Sequence, residues 1–86
     1  MFILIKNYMN NLTREQVNQF ATSNNTNLSD SELEFTYLFI KKNWEAILQN
    51  PNSLNIEKYR SHYSPENFAK IEQLLPHYFN KYKNYL

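Results

Sequence analysis

At 86 residues the chain has room for one domain, and a chain of that size buries only about 60–65% of its unfolded surface. Hydrophobic residues make up 42% of it and aromatic residues 16%, enough large side chains for a core without staples, while a net charge of +1 supplies no global field toward nucleic acid or anionic membrane. The absence of cysteine excludes disulfides, thiolate metal sites and cysteine nucleophiles, and the absence of glycine excludes glycine-rich phosphate loops and dinucleotide fingerprints.

The chain begins with an apolar run, Phe2-Ile3-Leu4-Ile5, which is cut off by Lys6 and Asn7 and has neither a basic start nor a small-residue cleavage site. It does not read as a secretory signal. No other stretch approaches the roughly 20 apolar residues of a membrane span, so a cytoplasmic protein with no membrane partner is expected. Over residues 2 to 10, Ile5, Tyr8, Met9 and Leu12 recur at helical spacing, although residues 2 to 5 alone are equally compatible with a strand.

Four helix starts then share one pattern: an apolar residue, a capping side chain, and a second apolar residue five positions after the first. Leu12-Thr13 leads to Gln16 and Val17, and Leu28-Ser29 leads to Glu32 and Leu33. Both are capping boxes, in which Ser or Thr accepts the N3 amide and Gln or Glu reaches back, closed by a hydrophobic staple. Leu54-Asn55 with Tyr59 lacks a box. Tyr63-Ser64-Pro65-Glu66 with Phe68 places proline at the first helical position, where its missing amide hydrogen costs nothing. The N-caps are thus Thr13, Ser29, Asn55 and Ser64. Without glycine, left-handed turns fall to asparagine, and Asn24, Asn25, Asn27 and Asn52 stand where turns are expected.

These starts delimit a helix over residues 14 to 23 with Val17, Phe20 and Ala21 on one face, and a long helix over 30 to 49. The long one carries Leu33, Tyr37, Ile40, Trp44, Ile47 and Leu48 on one side and Phe35, Leu38 and Phe39 on another, the pattern of a central helix. Asn50-Pro51 ends it. A short helix near 56 to 61 follows, then a last one from 65 to about 85. There Phe68, Ile71, Leu75, Tyr78, Tyr82 and Tyr85 alternate three and four apart as a heptad seam, and Pro76 is expected to kink or split the helix off that seam. The expected fold is a single all-α domain, residues 1 to 86, an irregular bundle of four to five helices around 30 to 49 with Trp44 near its centre.

Nothing in the chain writes an active site. His62 and His77 stand alone, with no paired histidine, cysteine or glycine-rich elbow at a catalytic or metal-binding spacing. Asp30, Glu32 and Glu34 crowd a helix start, where negative charge complements the macrodipole. The same acids would face phosphates if the segments starting at Thr13 and Ser29 docked as a helix-turn-helix. No catalytic, metal or cofactor residue is therefore assigned, no cofactor or small-molecule substrate is implied, and the protein is not expected to be an enzyme. The C-terminal seam is the one surface with a functional reading. If part of it is exposed, Tyr78, Tyr82 and Tyr85 with Lys81 and Lys83 form a candidate interface for a protein partner or a homodimer. The alternative is a nucleic-acid accessory protein, because lysines interleaved with tyrosines also suit single strands.

The Leu12-Thr13-Arg14-Glu15-Gln16-Val17 start, the Asn25-to-Ser29 connection, Lys42-Asn43-Trp44 and the Tyr63-Ser64-Pro65-Glu66 start together resemble DUF2624, a family of short proteins from Bacilli. The resemblance covers most of the chain and implies no activity, cofactor or catalytic residue. Members often carry Arg-Gly-Lys-Asn where this chain has Lys41-Lys42-Asn43-Trp44, so a helix break at that point is an open question.

Overall fold

The computed structural model describes residues 2–83, which leaves Tyr85 outside the described residues. The chain forms α1 (Phe2–Asn10), α2 (Arg14–Ser23), α3 (Asp30–Gln49), 3-10 segments at Pro51–Ser53 and Ile56–His62, and α4 (Pro65–Asn80). No strand occurs among the described residues, and residues 2 to 5 are helical. Every other element packs on α3, which runs through Lys41–Trp44 without a break. The fold is the expected all-α bundle around a central helix.

The helix starts follow the capping chemistry. Thr13 Oγ1 accepts the Gln16 amide at 3.2 Å while Gln16 Oε1 accepts the Thr13 amide at 3.0 Å, and Ser29 and Glu32 repeat the exchange at 3.2 and 2.8 Å. Ser64 Oγ accepts the Asn67 amide at 3.1 Å, with Pro65 at the first helical position. The Tyr63 and Phe68 rings of its staple lie 6.4 Å apart. Asn55 also precedes a helical segment, but its side chain makes no cap, and that segment is 3-10 throughout. A start without a cap leaves the orphan amides that tighter i to i+3 bonding reduces.

Asparagine takes one left-handed position, Asn25, with φ of 59°. Its amide bonds the Thr22 carbonyl at 3.1 Å and the Thr26 amide bonds the Ala21 carbonyl at 2.9 Å, the two bonds of a Schellman cap. Ala21 and Thr26, the hydrophobic contact of that motif, are both buried. Asn24, Asn27 and Asn52 do not adopt positive φ. The C-terminal end of α1 is closed instead by Lys41, whose Nζ donates to the Asn10 carbonyl at 2.7 Å.

The helices α3 and α4 run parallel. Glu32 near the start of α3 bonds Ser64 and Asn67 at the start of α4, and Ile47 and Leu48 at one end face Pro76 and Phe79 at the other across a shared hollow. Parallel helices cannot be joined by a tight turn, which is why the two 3-10 segments exist: they return the chain along the length of α3. The core between them collects Ile5 and Met9 of α1, Leu12 of the connection after it, Val17 of α2, Ile40, Trp44 and Ile47 of α3, and Phe68, Ile71 and Leu75 of α4.

One assignment on α3 differs from the sequence pattern. Leu38 is 53% exposed rather than packed, because it lies on the same stripe as the exposed Lys42 and Glu45. Phe35 is half-buried and packs against Tyr59, His62 and Tyr63, while Phe39 is core. Pro76 does not split α4, which is one helix to Asn80. Pro76 and Glu72, whose carbonyl loses its partner, are both exposed, so water can satisfy the freed oxygen.

Candidate interaction surfaces

The heptad spacing of α4 puts its seam against α3, and the described part of that seam is core. Phe68, Ile71 and Leu75 are buried, Tyr78 is 4% exposed and Tyr82 is 9% exposed. The two tyrosines proposed as interface residues therefore pack inside the domain, whereas Lys81 and Lys83 project to solvent. Rings continue from this seam across the molecule: Tyr82 lies 5.3 Å from Tyr78 and 5.5 Å from Tyr8, and Tyr78 lies 5.1 Å edge-on from Phe20.

The Tyr78 hydroxyl is buried without a partner at hydrogen-bond geometry among the described residues. Burial pushes its pKa far above the usual phenol range, and the nearby Tyr82 and Tyr8 phenols push it further, so it stays a neutral phenol. A buried hydroxyl beside the Tyr82 phenol but outside hydrogen-bond geometry recovers little of its lost hydration. Tyr78→Phe is accordingly expected to raise stability by about 1 kcal/mol, read as a higher urea midpoint at unchanged slope. A lower midpoint would mean that the hydroxyl is satisfied.

Where the seam ends, α1 supplies most of the exposed large apolar side chains among the described residues. Ile3 is 74% exposed, Leu4 57% and Tyr8 38%. Leu4, Ile5 and Tyr8 with Tyr82 line a groove of about 240 Å³. Tyr8 was expected on the buried face of α1; Ile5, Met9 and Leu12 take that face, and Tyr8 sits at its edge.

A second, polar groove lies between α2 and α4. One half, about 430 Å³, is lined by Gln16, Gln19, Phe20 and Ser23 of α2, by Lys81 at the end of α4, and by the Tyr8, Tyr78 and Tyr82 rings, two of which it shares with the α1 groove. The other, also about 430 Å³, is lined by Asn25, Lys70, Gln73 and His77, and Asn24 belongs to both halves. Between them Phe20 stacks on His77 at 5.9 Å, with Lys81 Nζ 5.7 Å from the Phe20 ring centre. A third hollow, about 390 Å³, is floored by Ile47, Leu48, Leu54 and Phe79 with Lys83 at its rim.

The remaining polar residues serve the fold. Glu32, 5% exposed, accepts the Ser29 amide at 2.8 Å, the Ser64 amide at 2.7 Å and Asn67 Nδ2 at 2.7 Å. Burial pushes its pKa up, but these bonds together outweigh burial and hold it below the ordinary carboxylate value. Glu34 lies beyond the first turn of α3 and clasps Arg14 of α2 with both oxygens, one bond at 2.9 Å, so it ties two helices rather than complementing a dipole. Thr36 Oγ1 donates to the Glu32 carbonyl at 2.8 Å and so receives the Tyr63 hydroxyl at 2.6 Å. His62 stacks on Phe35 at 3.9 Å, and both histidines are exposed.

Among the described residues no group of three or more His, Asp or Glu side chains converges as a metal site, and no helix is long and apolar enough to cross a membrane. No family model, curated protein or solved structure matches the chain.

Proposed function

We propose that this domain is a non-enzymatic interaction module that self-associates where the C-terminal aromatic seam meets α1. One observation carries the reading: Ile3, Leu4 and Tyr8 stand exposed on adjacent turns beside a groove that Tyr82 closes. Exposed apolar side chains clustered in this way mark contact surfaces. A twofold contact requires a self-complementary patch on one chain, and α1 offers one in Leu4 and Tyr8, exposed side chains that themselves line the groove. Its charge permits the contact, since Lys6 is the one charged residue in α1 and no carboxylate would be desolvated. The reading supplies a protein partner, a second copy, and keeps the seam's role while moving the contact from Tyr78 to Leu4, Tyr8 and the edge of Tyr82.

Membership of the DUF2624 family and a cytoplasmic setting belong to the same proposal, supported by the capped-helix layout and the cysteine-free composition. In sedimentation equilibrium the wild-type chain is expected to dimerise at micromolar concentration. Leu4→Glu, which sets two carboxylates near each other across the twofold, is expected to weaken the dimer by about 2 kcal/mol, roughly thirtyfold. A strict monomer at high micromolar wild-type concentration overturns the reading.

A further inference from the structure

We infer that the groove between α2 and α4 binds single-stranded nucleic acid, in a sequence-tolerant manner, through one stacking platform and the cations beside it. Lys70, His77 and Lys81 fall at i, i+7 and i+11 of α4 and so within about 40° of one another around the helix. They border two neighbouring hollows, about 430 Å³ each, that share Asn24 as a lining residue. Among the described residues neither half is lined by Asp or Glu, although the chain carries 8 acidic residues against 9 basic ones. With Lys70 and Lys81 beside it and no carboxylate in its lining, the groove is complementary to an anion, Glu66 offsetting part of the charge at Lys70.

The lining narrows that anion to a particular kind. His77 is exposed and rests one ring face near Phe20, which is itself half-buried and edge-on to Tyr78, so the pair is a braced aromatic platform at the middle of the groove. Amide side chains lie on both sides of it, Gln16, Gln19 and Asn24 on one and Asn25 and Gln73 on the other. Stacking on a ring, amides that pair with base edges as donor or acceptor, and ammonium groups spaced along the groove form the combination used on unpaired strands. A duplex hides its base faces and cannot use the platform. Carboxylate side chains have no rings to place on it.

The cations set the strength. Lys81 is exposed and held near the Phe20 and Tyr82 rings, whereas Lys70 already donates to the Asn25 carbonyl at 2.9 Å and has Glu66 at 3.9 Å. One to two phosphates are neutralised, so the logarithm of affinity falls with the logarithm of salt with a slope of about −0.7 to −1.4. That is roughly 5- to 25-fold weaker binding per tenfold rise in salt.

The experiment is fluorescence anisotropy of the full chain with a short labelled oligothymidylate at low salt, each variant first checked for native helicity by circular dichroism. Binding with the stated salt slope is expected, weakened roughly tenfold or more by Phe20→Leu and severalfold by Lys81→Gln, and unchanged by Lys42→Gln on the far stripe of α3. Lys81 is exposed, so its variant keeps the test decisive should Phe20→Leu unfold. The inference is overturned by no binding at low salt, by binding that both groove variants leave intact, by equal affinity for a duplex of the same length, or by polyglutamate displacing the probe as well as unlabelled oligonucleotide does.

Discussion

Glu32→Ala is expected to lower the free energy of unfolding by about 3–4 kcal/mol. The carboxylate accepts the Ser29 amide, the Ser64 amide and Asn67 Nδ2 at 2.7 to 2.8 Å, and alanine leaves the two amides, part-buried at the junction of two helices, without acceptors and Asn67 Nδ2 with only the Asn27 carbonyl at 2.9 Å. Each abandoned donor costs on the order of 1–3 kcal/mol, with the sum reduced by whatever water enters. The electrostatic loss adds to it. Because α3 and α4 are parallel, their positive N-terminal dipole ends lie together, and one buried negative charge serves both. Glu32→Gln keeps the shape but replaces one acceptor oxygen by a donor, and is expected to cost about 2 kcal/mol.

The same residue predicts an acid limb. Its folded-state pKa lies below the ordinary carboxylate value of 4.5, so in that window the unfolded chain binds more protons and stability falls as pH falls. The contribution is complete above 4.5 and is lost as pH drops through the folded value. Arg14 and Arg60 hold Glu34 and Glu57 low as well, but those pairs are on the surface. Urea melts of wild type and Glu32→Gln, run from neutrality to about pH 3, isolate the buried group as their difference. The two curves should converge toward acid pH; parallel curves would show that the charge of Glu32 contributes nothing.

Phe68→Ala is expected to cost about 3–5 kcal/mol, the usual range for removing a fully buried phenylalanine. At 1% exposure Phe68 is among the most buried large side chains of the domain. It is the fourth residue of α4, packs on Tyr63 in the staple, and carries the Arg60 guanidinium 4.3 Å above its ring. Its loss therefore acts on the entry of α4 and on the returning 3-10 segment together. A domain of this size is expected to have roughly 4–13 kcal/mol of total stability at 0.05–0.15 kcal/mol per residue. The variant is thus expected to lose a large fraction of its stability, read as a much lower urea midpoint followed by near-ultraviolet circular dichroism. A loss under 1 kcal/mol would show that the site collapses around the gap.

The helix boundaries were legible because capping is local chemistry. Thr13, Ser29 and Ser64 bond amides three residues away, and no distant element is needed to place them. The α4 seam was legible for a similar reason, since a 3.5-residue repeat defines a face whatever covers it. Leu38 was misplaced because periodicity counts apolar residues without knowing where neighbours run out. Tyr8 went the same way: its spacing matches that of Ile5 and Met9, yet it sits where the α1 contact with the bundle ends.

Of the candidate surfaces, the sequence held half. Lys70, His77 and Lys81 share a face of α4 by spacing alone, but Phe20 and the amides of α2 join them only through packing between segments about 50 residues apart in the chain. Tyr78 and Tyr82, whose spacing favours core and leaves an interface open, are core because α4 lies along α3. Composition, capping and helical period thus determined on their own that this is an all-α domain with those helix starts, because each acts within a few residues. The parallel pairing of α3 and α4, the double duty of Glu32, the exposure of Ile3 and Leu4 and the α2/α4 groove were decided by tertiary structure, because each depends on which face of one helix another helix covers.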